Sequence, residues 1–200
     1  MRTGKEPLPK ELYFLMCDAY LQESDATSIF ARCVQVLCVN LISRAGNGVD
    51  ICLEHMSWEG DALVIKFCQT KTNQSGDEKK RHPMHVYANP VYPSVCPILS
   101  LGMYFLMFPS VLKEGSIKLF PGSSQDDHYR RLASKVMKGA IMQKGLVEHG
   151  FDKKDFGSHS NRKYGATEGS SSPFELVGAV RKRGGWSGQV MDIYVGFNAF

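Results

Sequence analysis

The sequence predicts a mainly α-helical domain with one small antiparallel β-sheet, an α+β fold. Apolar side chains in residues 26–43 recur every three or four positions, which indicates a helix with one buried face. Residues 62–69 (ALVIKFCQ) are rich in strand formers, and a polar turn separates them from a second short strand at 84–87, as in a hairpin. The chain has 200 residues, 43% of them hydrophobic, which suits a single domain with a substantial core.

The remaining elements follow from helical periodicity and from its interruptions. Asp25 precedes the helix at 26–43 and is a suitable N-cap, because its carboxylate can accept the unpaired N–H groups of the first turn. Gly46-Asn47-Gly48 predicts a turn after that helix, and the polar stretch 70–81 forms the long hairpin tip. We predict further helices at 9–22, 98–108, 126–143 (where Asp126 and Asp127 suit a helix N-terminus), 159–167, 173–183 and 189–197.

Composition excludes several classes of protein. The longest apolar run, residues 98–108, is shorter than the roughly 20 residues that span a bilayer, and the N-terminus has no signal-peptide pattern. We therefore expect an intracellular protein without a membrane partner. The six cysteines form no C-x-x-C pair and suit buried free thiols. His82 and His85 lie three apart in a predicted strand, where we expect them to point to opposite faces. No metal or cofactor is predicted.

Basic side chains are concentrated near the C-terminus. The net charge is +4, but residues 1–127 carry 12 basic and 14 acidic side chains, whereas residues 128–200 carry 12 basic and 6 acidic ones. This distribution predicts a surface that faces a polyanion in the last third of the chain, with a merely solvated basic face as the alternative.

Several residues whose side chains can bind a phosphate or react with it occur in a particular order along the chain. His159 and Arg162 lie three apart on one predicted helical face, where both could grip one phosphate. The segment Gly184-Gly185-Trp186-Ser187 follows, and Tyr194 lies eight residues beyond the tryptophan. Upstream, Arg44 lies at a helix end and Lys71 in the hairpin tip, within Q-T-K-T.

Taken in this order, these residues resemble the catalytic signature of the tyrosine recombinases, the phage-integrase family. G-G-W-S followed by a tyrosine resembles the Cre version of that signature, and H-S-N-R-K with the Ser-rich linker resembles the crypton-type recombinases of eukaryotic mobile elements. The resemblance runs from the second helix to the end of the chain, and it implies the catalytic-core fold of that family.

The resemblance implies DNA strand breakage and rejoining, as in site-specific recombination and integration, without a cofactor. Tyr194 would attack phosphorus and form a 3′-phosphotyrosyl bond, and Lys71 would protonate the leaving 5′-oxygen. Arg44 and Arg162 would hold the nonbridging oxygens, His159 would assist proton transfer, and Trp186 would donate its indole N–H or wall the site. From charge alone, we predict further contacts to double-stranded DNA from Lys163, Arg181 and Arg183.

Three alternatives stay open from the sequence. Each residue alone also suits a structural role, the chain could be a catalytically silent DNA-binding domain derived from a recombinase, and type IB topoisomerases share much of the chemistry. Asn47 stands three residues after Arg44, where the family usually has Asp or Glu. Since about 25 residues precede the second helix, we expect one catalytic domain over 1–200 without an N-terminal core-binding domain. We also expect the protein to self-associate on DNA and, if it comes from a eukaryote, to be located in the nucleus.

Overall fold

The computed structural model describes residues 5–67, 82–113, 115–157, 159–171 and 177–184. Over these ranges the chain is mainly helical with a three-stranded antiparallel sheet, as predicted. None of the described helices has the length and apolar character needed to cross a membrane. The helices are α1 (Lys10–Glu23), α2 (Ala26–Asn40), α3 (Ala45–Val49), α4 (Pro97–Met107), α5 (Gln125–Met137), α6 (Ala140–Glu148), α7 (Ser160–Ser171) and α8 (Val177–Gly184); the strands are β1 (Met56–Glu59), β2 (Ala62–Ile65) and β3 (Met84–Val86).

Helix α2 is the centre of the core. All its residues from Ser28 to Cys38 are buried, and α1, α4, α5 and α7 all pack against it. The predicted N-cap is confirmed, because the Asp25 carboxylate accepts the Ser28 N–H at 2.7 Å. Arg32 is fully buried in this helix, and its guanidinium donates to the carbonyls of Ser94 at 2.8 Å and Pro93 at 3.0 Å. A charged side chain thereby fastens the segment that leads into α4.

The end of α2 differs from the prediction. The helix ends at Asn40 rather than residue 43, because Ile42 has a left-handed φ of 49° and the Ser43 N–H turns back to the Cys38 carbonyl at 2.9 Å. Residues 46–48, predicted as a turn, instead lie in the five-residue helix α3. Arg44 is thus the N-cap residue of a new helix that starts close to the end of α2.

The small sheet has the order β1-β2-β3. Strand β2 is central and pairs antiparallel with both neighbours, with Glu59 opposite Ala62 and Ile65 opposite Met84. The pairing of β2 with β3 confirms the predicted hairpin, although β2 ends at Ile65 and the predicted tip, 70–81, lies outside the described residues. Strand β1 was not predicted, because it is only four residues long and most of its side chains, including Trp58, are exposed.

The predicted basic helix at 126–143 is two helices. Gly139 adopts an extended backbone conformation between α5 and α6, and its N–H bonds to the Val136 carbonyl at 2.8 Å. Asp126 and Asp127 do lie in the first turn of α5, as predicted, and both pair with Arg130 at 3.1 Å.

The later helices agree with prediction to different degrees. Helix α4 matches within one residue at each end, and α7 extends four residues beyond the predicted 167. Of the helix predicted at 173–183, residues 173–176 lie outside the described residues, and α8 covers the rest. The helix predicted at 189–197 lies outside the described residues. The free cysteines of the described ranges are buried as predicted: Cys17, Cys33, Cys38, Cys52 and Cys96.

Candidate active site

Arg44 is held by the tight reversal between α2 and α3. Its backbone is extended, its carbonyl accepts the Gly48 N–H at 2.9 Å, and the Cys38 thiol lies 3.9 Å from the same carbonyl. A Cβ at Gly48 would collide with the Cys38 sulfur, so glycine permits this close approach of α3 to α2. Among the described residues, no carboxylate lies within ion-pair distance of the half-buried Arg44 side chain.

The start of α7 positions the predicted His159 and Arg162. The His159 carbonyl accepts the Lys163 N–H at 2.9 Å, so the helical hydrogen bonding begins at the histidine. Buried Ser160 accepts the Gly157 N–H on its hydroxyl at 3.0 Å, and Asn161 donates to the Tyr129 hydroxyl at 2.7 Å. These two bonds fasten the first turn of α7 to the preceding loop and to α5.

His159 is exposed and lies in a strongly positive environment. Its pKa is held below the usual value of about 6.5, first by partial desolvation and then by the charges of Arg44, Arg162, Arg130 and Lys163. An electrostatic effect of this kind requires proximity. The fold therefore places the charge of Arg44 within electrostatic range of His159, although more than a hundred residues separate the two in sequence.

Arg162 is buried where α7 meets α8. Its Nη2 donates a hydrogen bond to the Gly184 carbonyl, the last residue of α8. Gly184 is also the first residue of the sequence Gly-Gly-Trp-Ser, so Arg162 contacts the start of that segment directly. Lys71, Trp186 and Tyr194 themselves lie outside the described residues.

The three residues predicted to contact DNA differ in their surroundings. Arg181 is exposed on α8, whereas the half-buried Lys163 donates to the Lys5 carbonyl at 2.6 Å. Arg183 donates from Nη1 to the Asn40 carbonyl and from Nη2 to the His85 carbonyl, each at 3.0 Å. Its guanidinium therefore connects α8 to the end of α2 and to β3.

Arg130 is a basic residue near His159 that the sequence interpretation did not single out. It lies on the exposed side of α5 and pairs with Asp126 and Asp127 one turn earlier. Its charge nevertheless contributes to the lowered pKa of His159. In the sequence, Arg130 lies three residues after Asp127 and four after Asp126, a spacing that indicates an ordinary ion pair on a helix surface.

A cluster of two arginines and a histidine can bind an anion. The arginines offer planar, permanently charged donor groups, which match the oxygens of a phosphate. The histidine, neutral more often than usual because of its lowered pKa, can accept a proton or bind the anion as a donor. The cluster thus combines charge neutralisation with a group that can move a proton.

The mainly helical architecture with its small antiparallel sheet is that of a tyrosine-recombinase catalytic domain. The XerH site-specific recombinase in its post-cleavage complex with a palindromic difH substrate superposes with a TM-score of 0.65 and 14% identity, over 98% of this chain and 51% of that one. The XerH pre-cleavage complex with difH gives a TM-score of 0.60 and 13% identity, over 95% and 50% of the two chains.

The chain therefore spans about half the length of these recombinases. No protein-family model matches the sequence, and no curated protein matches it. At this level of identity the likeness establishes the fold, and the chemistry depends on the residues of the site.

Proposed function

We propose that this chain breaks and rejoins double-stranded DNA through a covalent 3′-phosphotyrosyl intermediate. The observation that carries the proposal is that the charges of Arg44 and Arg162, from two distant parts of the sequence, both act on His159. The recombinase fold supports the same conclusion.

In this proposal the two arginines stabilise the pentacoordinate phosphorane-like transition state. Arg44 and Arg162 hold the nonbridging oxygens, where negative charge develops as the nucleophile attacks. Removal of one such preorganised donor typically costs about 3 kcal/mol of transition-state stabilisation, which is a loss of a hundredfold or more in rate.

Proton transfer completes the proposed reaction. The Tyr194 hydroxyl attacks phosphorus, and its proton passes to His159, whose lowered pKa leaves the imidazole neutral at pH 7 with a nitrogen available to accept it. The bond to the 5′-oxygen breaks, and Lys71 supplies the proton that this oxygen needs. Trp186 donates its indole N–H to the phosphate or closes the site. The phosphotyrosyl bond replaces the phosphodiester bond, so rejoining follows the same steps in reverse without ATP.

A suicide substrate tests the proposal directly. Nicked duplexes that carry the terminal sequences of the chain's own element should give a covalent protein–DNA adduct, seen as a shifted band after denaturing electrophoresis. Tyr194→Phe should abolish the adduct, whereas Tyr87→Phe, which alters an exposed tyrosine beside β3, should retain it. Salt-dependent DNA binding by the folded protein with no adduct would contradict a breaking-rejoining activity and indicate a silent binding domain.

A further inference from the structure

Three side chains with metal-binding atoms meet in the turn between α3 and β1. The Cys52 sulfur, a Glu54 carboxylate oxygen and a His55 ring nitrogen all lie within 4.8 Å of one another. This group is distinct from the Arg44–His159–Arg162 cluster and from the residues of the proposed reaction.

The spacing of the group follows from the local backbone. Residues Leu53–His55 form a short 3-10 turn with Cys52 as its N-cap, and the His55 N–H bonds to the Cys52 carbonyl at 3.1 Å. In a turn of this kind, side chains three residues apart lie on the same side. Cys52 and His55 are therefore brought together by the turn itself, with Glu54 beside them.

Neighbouring segments hold this turn at both ends. The Leu53 N–H donates to the Ile117 carbonyl at 2.8 Å, and the Lys66 N–H donates to the His55 carbonyl at 3.0 Å. Cys52 also forms an isolated β-bridge with Lys118. The three donor groups thus extend from a backbone that is fixed before an ion arrives, which lowers the ordering cost of binding.

The donor set and its geometry suit Zn²⁺. Thiolate, imidazole and carboxylate are the ligands that this borderline-soft ion takes in proteins. Nitrogen and oxygen ligands at about 2.0–2.1 Å from a tetrahedral zinc stand about 3.4 Å apart. The observed distance from His55 Nε2 to Glu54 Oε1 is 3.6 Å, so these two groups are already close to ligand spacing.

The group is partly exposed, so an ion can reach the three side chains from solvent. Cys52 is 9% exposed, whereas the side chain of Glu54 is 71% exposed. A zinc ion bound between them would have protein ligands on its inner side and a water molecule in the fourth position toward solvent.

We propose that Cys52, Glu54 and His55 form a zinc-binding site with three protein ligands and one water. On binding, the Cys52 thiol, now 3.8 Å from the Asp50 carbonyl, releases its proton to solvent and binds as thiolate. The ion cross-links the turn and thereby stabilises the connection between α3, which follows Arg44, and the sheet. The site is independent of the proposed strand-breaking activity.

Metal titration of the reduced, untagged 200-residue chain tests the site. Addition of Co²⁺ alone should give one equivalent of binding, with the intense charge-transfer absorption of a thiolate–cobalt bond and the visible bands of four-coordinate cobalt. Zn²⁺ alone should displace the cobalt, bleach these bands and raise the Tm of the protein.

Ligand variants with matched controls decide the assignment. Cys52→Ser should remove the charge-transfer band, and His55→Gln and Glu54→Gln should each weaken zinc binding by more than about tenfold, since even outer-shell partners contribute that much. Cys96→Ser, which replaces the sulfur that caps α4 with a hydroxyl oxygen, and His149→Gln on an exposed helix end should bind zinc as the unchanged chain does. Circular dichroism verifies the fold of each variant.

Two results would overturn the proposal. One is the absence of a thiolate–cobalt band in the unchanged, folded chain. The other is zinc affinity that stays within twofold of the original in His55→Gln, or in Cys52→Ser where that variant folds. Since His55 is a separate ligand at a less buried position, a failure of Cys52→Ser to fold still leaves the second variant as a test.

Discussion

Gly165 in α7 lies directly against the backbone carbonyl of Val39 in α2. A Cβ at Gly165 would lie 2.5 Å from the Val39 oxygen, well inside van der Waals contact. The absence of a side chain therefore lets α7 pack closely on the central helix. Since Arg162 lies one turn before Gly165 and Arg44 follows the end of α2, this contact sets the distance between the two halves of the candidate site.

Gly165→Ala is expected to destabilise the protein. The backbone of α2 cannot yield as a flexible side chain would, so overpacking of this kind should lower the free energy of unfolding by about 1–3 kcal/mol. Gly102→Ala is the matched control in the interior of α4, where an added Cβ meets no atom within 4 Å. There the higher helix propensity of alanine should raise stability by about 0.5–1 kcal/mol.

Urea denaturation of the two glycine variants measures both effects. Opposite signs at Gly165 and Gly102 are the expected result. Equal stabilisation by the two substitutions would show that α7 can move away from α2 without cost. The contact between Gly165 and Val39 would then not fix the position of Arg162.

The lowered pKa of His159 predicts a pH dependence with a definite sign. Because the folded protein binds the imidazole proton less readily than the unfolded chain, the stability from this group is fully present above the unfolded pKa of about 6.5. It is lost as the pH falls below that value and through the lower pKa of the folded protein. A titration of the His159 ring by NMR should therefore give a midpoint below about 6.5.

Charge removal near His159 identifies the cause of this shift. Arg44→Gln should raise the midpoint toward the usual value, because it removes one of the positive charges that disfavour the imidazolium. Arg131→Gln, at an exposed position of α5 outside the set that acts on His159, should leave the midpoint in place. An unchanged midpoint in Arg44→Gln would mean that the two groups are not close in solution.

The sequence allowed the fold to be predicted where one physical signal dominates. The carboxylate of Asp25 and the apolar period of the following residues defined the start of α2, and the structure confirms both. The end of α2 could not be predicted, because it depends on Ile42 adopting a left-handed conformation that its β-branched side chain disfavours. Tertiary packing of the reversal imposes that conformation, and no local pattern reveals it.

The candidate site stays a prediction. The order of residues singled out Arg44, His159 and Arg162, and the charges of both arginines lower the pKa of His159. The sequence could not reveal the contribution of Arg130, because its spacing from Asp126 and Asp127 is that of many exposed helical pairs. Nor could it distinguish Arg181 from Arg183, whose different surroundings arise only when the Arg183 guanidinium reaches the carbonyls of Asn40 and His85.

Substitution of Asn47 by aspartate is expected to increase the rate of adduct formation. It lies in α3 three residues after Arg44, where a carboxylate would face the same side of the chain. Asn47→Asp should orient the Arg44 guanidinium and accelerate adduct formation on a suicide substrate, by up to about tenfold for roughly 1.4 kcal/mol of improved preorganisation. Asn47→Leu, of similar size without charge, is the control, and adduct formation by Asn47→Asp that is slower than in this control would contradict the expectation.

Substitutions of Arg181 and of Arg183 should have different effects on DNA affinity and on stability. Arg183→Ala removes two hydrogen bonds from a charged donor to the carbonyls of Asn40 and His85 and should lower the free energy of unfolding by about 2–3 kcal/mol. Arg181→Ala alters an exposed side chain, so it should lower the free energy of unfolding by less than Arg183→Ala does. If Arg181 contacts a phosphate, the same variant should weaken binding to duplexes of any sequence and reduce the slope of log K against log salt by about 1. Chemical denaturation and salt titrations of fluorescent duplexes measure the two quantities, and a loss of stability in Arg181→Ala equal to that in Arg183→Ala would show that both arginines are structural.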